Sequence, residues 1–142
     1  LLIAEGNLRF NGGAGAKEAY EAGIDASLNM LGVGGASGYY GTGGVYEWNA
    51  GGTMDQQWEQ IMLQKWVAMC NSQNLEAFFE INRTGYPKYA AGVGAPGALT
   101  SSLGSVLPAG KGPKRLLFPD VEVSRNTNTP SQPAGGIGEK VW

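Results

Sequence analysis

The sequence predicts a mostly α fold over residues 1–82, followed by an extended Pro/Gly-rich segment over 83–142. Three observations predict it. Apolar residues recur at three- and four-residue spacings in the first part, a capping box opens the strongest of these runs, and all seven prolines fall at or after Pro87. Proline removes a backbone N–H and clashes with the preceding helical turn, so helices are expected only upstream of it.

Leu1-Leu2-Ile3-Ala4-Glu5 opens the chain already in a helical register, so residues 1–10 read as the end of a helix and the chain as a piece of something longer. Ala16, Ala19, Tyr20, Gly23, Ile24, Ser27, Leu28 and Leu31 mark an amphipathic helix over about 14–31, which Gly32 stops in a left-handed turn. Thr53-Met54-Asp55-Gln56 is the capping box of the next helix, with Asp55 placing negative charge in its first turn. Trp58, Ile61, Met62, Trp66, Met69 and Cys70 form its apolar stripe. Leu75, Phe78, Phe79 and Ile81 continue the pattern in a shorter helix that ends at Thr84-Gly85. On this reading Trp58, Trp66, Phe78 and Phe79 belong to the core, and Cys70 is a small buried hydrophobe. Helices stacked as in a repeat bury their faces against neighbours, so Leu2, Ile3 and Leu8 are expected to be exposed where the preceding repeats are missing.

Between the second and third of these helices runs a loop, 32–54, with nine glycines, one charge at Glu47 and four aromatic rings, Tyr39, Tyr40, Tyr46 and Trp48. A loop of that length inside a compact domain is generally functional or disordered. The segment after Arg83 is dense in Pro, Gly, Ser, Asn and Thr, yet Arg115-Leu116-Leu117-Phe118-Pro119 and Val141-Trp142 are too apolar for a linker. They predict an extended strap pressed onto a surface.

Composition removes several function classes. The 142 residues carry no histidine, and with it go the commonest general base, the commonest metal ligand and every His-containing nucleophile triad. The single cysteine, Cys70, cannot form an internal disulfide or a thiolate zinc cluster. The net charge of −2 argues against an electrostatically driven binder of nucleic acid or membrane surfaces. Charge is nonetheless uneven: residues 1–82 hold three basic and nine acidic groups, residues 83–142 seven basic and three acidic. Gly92-Val93-Gly94-Ala95-Pro96-Gly97 matches a dinucleotide-binding spacing, but no strand precedes it and a proline sits in its middle. Glu18 with Glu21 and Glu76 with Glu80 sit at helical spacing and read as solvated faces, not as a glycosidase pair. No cofactor and no metal cluster is expected, while a calcium ion on loop carbonyls stays open.

Four blocks in order carry a family resemblance. Trp58-Glu59-Gln60-Ile61-Met62-Leu63-Gln64-Lys65-Trp66-Val67-Ala68, then Glu76-Ala77-Phe78-Phe79-Glu80-Ile81-Asn82-Arg83-Thr84-Gly85-Tyr86-Pro87, then Lys114 to Asn126, then Glu139-Lys140-Val141-Trp142 resemble the C-terminal region of SusD/RagB-type (SusD-like) lipoproteins. Leu2–Asn7 and Ala16–Ser27 are similar to that family's two preceding helices. Asn82 departs from the pattern, standing where the family often has a second arginine. The resemblance implies the C-terminal part of a helical-repeat, TPR-like fold whose N-terminal repeats and lipid anchor lie outside residues 1–142. It also implies an outer-membrane lipoprotein of a Bacteroidetes-type bacterium that captures glycans, without catalysis, and hands them to a TonB-dependent SusC-like transporter.

Two readings of the aromatic loop stay open. Sugar rings present C–H faces that stack on flat aromatic surfaces, which makes Tyr39, Tyr40, Tyr46 and Trp48 the candidate ligand residues. Alternatively the rings close the core or meet the transporter, with every ligand residue in the missing N-terminal half. Arg83, Tyr86, Glu76, Arg115 and Glu122 read as structural, with Arg83 satisfying carbonyls at a helix end and pairing with Glu76, Glu80 or Glu122.

Overall fold

Thr53 begins the longest helix of the protein as its capping box requires. In the computed structural model, which describes residues 1–70, 72–90, 99–100 and 104–141, the Thr53 hydroxyl accepts from the Gln56 N–H and the Gln56 side chain accepts from the Thr53 N–H. A cap of this kind stabilises a helix by about 1 kcal/mol. The fold is mostly α, about half helical. Its helices are α1 (Leu2–Phe10), α2 (Ala16–Met30), α3 (Ala36–Tyr40), α4 (Met54–Met69), α5 (Asn74–Thr84) and α6 (Asp120–Arg125). Two-residue strands β1 (Tyr89–Ala90) and β2 (Leu99–Thr100) pair in parallel, and a 3-10 turn covers Gly136–Gly138. The chain divides into two compact units, Leu1–Pro87 and Lys88–Trp142.

In the first unit α1 and α2 form a hairpin across residues 11–15, where Gly12, Gly13 and Gly15 take the left-handed conformations that such a tight connection needs. Small residues bring the two helices close: Ala4 and Ala16 are buried at their contact, and at Gly23 a Cβ would lie 2.7 Å from Leu1 Cγ. The core joins Ala4 and Leu8 of α1, Ala16, Tyr20 and Ile24 of α2, Ile61 and Met62 of α4, and Tyr86 just past α5. As expected, α2 is followed by Gly32 at φ 70°, and α5 ends on Gly85 at φ 78°.

Several expectations are corrected. Leu8 is buried, because it lies one turn after Ala4 on the face α1 turns to the core, while Leu2 and Ile3 on the other side are exposed. Phe79 is exposed, since Ala77 and Ile81 occupy the inner face of α5 and Phe79 lies midway between them. Trp58, Trp66 and Phe78 are half-buried, not fully enclosed. Gln64, one turn after Ile61, takes a place on the buried face of α4 that the apolar pattern does not mark. Cys70 is exposed: it is the C-cap of α4, with φ −55° and ψ 134°, so the chain has already left the helix and its apolar stripe. Helical structure also reaches the second unit, in α6 and the 3-10 turn, despite the prolines around them. Asp120 and Glu122 in its first turn and Arg125 in its last complement the helix dipole of α6.

Helices α1, α4 and α5 are joined by charge. The Arg83 guanidinium near the end of α5 forks onto both Glu5 oxygens in α1, donating from Nη1 to Oε1 and from Nη2 to Oε2 at 2.8 Å each. It also donates from Nε and Nη2 to Glu80 at 3.0 and 2.8 Å, and Lys65 Nζ of α4 donates to Glu80 Oε2 at 2.6 Å. Arg9 adds a longer contact to Glu5, at 3.3 Å, and lies over the Trp58 ring. Burial pushes the Glu5 and Glu80 carboxyls up, but hydrogen bonds and charge outweigh it and leave both below the ordinary glutamate range. Arg83 supplies them to both, with Arg9 and Lys65 assisting at Glu5 and Lys65 at Glu80. The Arg83 guanidinium is raised in turn, by Glu80 first and then Glu5.

Three outcomes follow from this packing. Arg83→Ala strands the buried Glu5 carboxylate and should lower stability by about 1–3 kcal/mol in urea unfolding, less than for a fully enclosed pair because Arg83 is partly solvated. Because the folded carboxyls are depressed, their stabilisation is complete above the ordinary value of 4.5 and is lost as pH falls through the lower folded value. The urea midpoint should therefore fall below about pH 4.5, and less steeply in Glu5→Gln. The exposed Cys70 should react with a thiol reagent such as DTNB in the folded protein as fast as in urea; a thiol silent until unfolding would contradict its placement.

Candidate functional site

The loop after α2 begins with α3, a five-residue helix that the glycine-rich sequence does not announce. Gly35, at φ 83°, starts it, and its last residues are the candidate pair Tyr39 and Tyr40. The chain then doubles back. The Tyr46 N–H donates to Tyr39 O at 3.1 Å, and the Gly43 N–H donates to the Glu47 carboxylate at 2.8 Å. Gly44 is required inside this turn, because a Cβ there would lie 2.6 Å from Tyr39 O.

Side chains from two helices fasten the returning strand of the loop by its backbone. The Tyr20 hydroxyl of α2 donates to Tyr46 O at 3.0 Å. Gln60 of α4 donates to Glu47 O at 2.7 Å and accepts from the Asn49 N–H at 3.1 Å, and Gln57 donates to Asn49 O at 2.9 Å. Tyr40 is held through its own hydroxyl, which donates to Asp25 Oδ2 of α2 at 3.0 Å. The loop is thus a fixed structure laid across α2 and α4.

This arrangement gathers the four candidate rings. Tyr39 and Tyr46 stack with centroids 4.7 Å apart and planes at 37°, and Trp48 lies 5.3 Å from the buried Tyr20 ring. Tyr39, Tyr40 and Trp48 all rest against the core, and all four rings are half-buried. Burial raises the Tyr39 phenol, with the neighbouring Tyr46 adding to it and the amide of buried Gln64 opposing it. The hydrogen bond to Asp25 raises Tyr40. Both phenols therefore stay protonated at neutral pH, and each ring remains partly exposed to solvent.

The residues read as structural are spread over both units. Arg83 joins Glu5 and Glu80, so Glu80 is a partner the sequence names and Glu5, 78 residues away, is one it does not. Tyr86 is buried, its hydroxyl donating to Asp55 Oδ2 at 3.0 Å and its ring edge-on to Trp58 at 5.7 Å. Glu76 is exposed in the first turn of α5. In the second unit Arg115 Nε donates to the adjacent Leu116 O at 3.4 Å, and the Glu122 carboxylate accepts from Asn126 and Thr129. The Gly92–Gly97 motif and Trp142 lie outside the described residues. Among the described residues no three His, Cys, Asp or Glu side chains come together to hold a metal ion, and no helix is long and apolar enough to cross a membrane.

Tyr20, Asp25, Gln57 and Gln60 are the residues that sequence reasoning misses here. Tyr20 is identified from the sequence as a core position of α2, but nothing in the pattern says that its hydroxyl reaches a carbonyl 26 residues on. A glutamine pair one helical turn after a capping box, beside a glycine-rich segment, is the available signal for the clamp on the loop.

Comparison with known proteins gives one positive finding. A family model for SusD-like proteins, described as SusD and RagB outer membrane lipoproteins, matches residues 42–137, from the turn of the aromatic loop through α4 and α5 to the 3-10 turn. No curated protein and no solved structure gives a match. The family points to glycan binding and nutrient uptake at the outer membrane, and to binding rather than catalysis. With about two thirds of its length matched, the chain belongs to the SusD-like family of outer membrane lipoproteins.

Proposed function

We propose that the protein takes part in non-catalytic capture of glycans at the cell surface, for delivery to a TonB-dependent SusC-like transporter, and that the loop over 32–54 contacts the sugar. The observation that carries the reading is the fixed set of half-exposed rings. Tyr39 and Tyr46 form one stacked pair and Trp48 stands on Tyr20, so ring surfaces are held in place before a ligand arrives. Preorganised rings spare the ordering cost that a mobile loop would incur on binding. Beside them the Tyr39 hydroxyl can exchange hydrogen bonds with sugar hydroxyls, and the Tyr40 oxygen, whose proton goes to Asp25, can accept one.

A second reading has its own support. Tyr39, Tyr40 and Trp48 pack on the core cluster, as rings that close a core would, which favours a loop that shapes a docking surface for the transporter. Position 46 separates the two. The fold uses the backbone carbonyl of Tyr46 to hold the loop, so its side chain can be removed with the anchoring hydrogen bonds intact.

Affinity electrophoresis through gels cast with a panel of polysaccharides tests this directly. Tyr46→Ala should abolish retardation by the polysaccharide that slows the native protein, with a loss of stability of only about 1 kcal/mol from the lost contact with Tyr39. Trp48→Ala should abolish it too, but with a loss of stability of about 2–4 kcal/mol, because that ring also packs on Tyr20. Retardation that survives both substitutions would move the sugar site away from the loop and favour the docking role.

A further inference from the structure

The second unit contains a cavity of about 450 Å³ lined by Leu107, Pro108, Lys111, Gly112, Lys114 and Lys140, with glycine backbone and Glu139 completing the wall. Its shape depends on close packing. At Gly112 a Cβ would fall 2.0 Å from the Tyr89 ring, and at Gly138 a Cβ would fall 2.9 Å from Leu107 Cδ2. Lys114 is fixed by its backbone, whose N–H donates to Ile137 O at 2.7 Å.

Three lysines thus contribute to the lining of one cavity, and the charges of Lys111 and Lys140 lie close enough to act on Lys114. The wall holds a single carboxylate, Glu139, and it accepts from the Gly135 N–H at 2.9 Å. Among the described residues neither Lys114 nor Lys140 has an ion-pair partner. Burial holds the Lys114 ammonium below the ordinary lysine range, and the neighbouring charges of Lys140 and Lys111 hold it lower still. Like charges held together around a cavity are a cost that an anion would relieve.

We propose that this cavity binds a multi-oxygen anionic substituent of a sugar, the carboxylate of a uronic acid or a sulfate ester. Lys114 and Lys140 contact the anion, and Leu107 and Pro108 lie against the apolar face of the ring. The assignment of the carrier as a sugar rests on the glycan-binding reading above; the anion site rests on the three lysines. The net charge of −2 for the whole chain conceals this basic lining, because the acidic excess lies in residues 1–82. A volume near 450 Å³ suits one substituted sugar unit, not a nucleic-acid backbone.

The test is calorimetry on the full chain with four probes: a neutral oligosaccharide, the same oligosaccharide bearing a uronate, the same bearing a sulfate ester, and inorganic sulfate. At least one acidic oligosaccharide should bind about tenfold tighter than the neutral one, an advantage that shrinks with added salt. The advantage should vanish in Lys114→Gln/Lys140→Gln. Lys140→Gln alone, at an exposed position, should reduce it and serves if the double variant does not fold. Equal affinity for neutral and acidic oligosaccharides, or an advantage unchanged in folded variants, would overturn the anion site and leave glycan binding standing. If no oligosaccharide binds while inorganic sulfate binds and loses affinity in the variants, the sugar carrier falls with the glycan reading and the anion site remains.

Discussion

The contact between Arg83 and Glu5 is the constraint on which the helical unit depends. Glu5 lies on the buried side of α1, where an unpaired carboxylate would be strongly destabilising, so α1 can occupy its place only with a guanidinium beside it. That guanidinium arrives from the last turn of α5 and also engages Glu80, which Lys65 of α4 holds from the other side. Three helices are thereby set in one arrangement by a planar five-donor group. A lysine could not reproduce it, because a single ammonium cannot fork onto both oxygens of one carboxylate while holding another. The turn that follows depends on the same geometry. Gly85 reverses the chain, Thr84 accepts from the Tyr86 N–H, and Tyr86 enters the core with its hydroxyl on Asp55 at the start of α4.

How much of this was legible in the sequence differs between elements for physical reasons. The extent of α2, the start of α4 and the end of α5 could be read because their signals are local: a three-to-four spacing, a capping box and glycines at positive φ. α3 could not, because five residues rich in glycine and tyrosine carry no period and the helix is held by its contact with α2. Cys70 and Phe79 were misplaced for one reason. A periodic pattern says which residues share a face and not where a helix ends or which face meets a neighbour, and one turn or half a turn decides burial. Arg83 was legible as a helix-end arginine with an acidic partner, whereas Glu5 was not, because 78 residues of chain separate them and only the fold brings them together.

The candidate site shows the same division. Four aromatic residues among nine glycines mark the loop in the sequence, but its fixing by Tyr20, Asp25, Gln57 and Gln60 emerges only from the packing of α2 and α4. Glycine in such a loop does not by itself mean mobility. At Gly35 it permits a left-handed start to α3, and at Gly44 it clears room for the carbonyl of Tyr39. Both roles make the loop tighter.

The manner of fastening bears on which rings of the loop can be exchanged. Along residues 46–49 the holding hydrogen bonds run to main-chain atoms, the carbonyls of Tyr46, Glu47 and Asn49 and the N–H of Asn49. Main-chain atoms are present whatever the side chain, so the residue at 46 can be exchanged without releasing the loop. Trp48 is less free, because its ring packs against Tyr20, and Tyr40 is least free, since its hydroxyl is itself the anchor on Asp25. The loop therefore contains a gradient from replaceable to fixed rings. A scaffold built this way separates the part that must persist, the helices locked by Arg83 and the glutamine clamp of α4, from the ring positions that can vary.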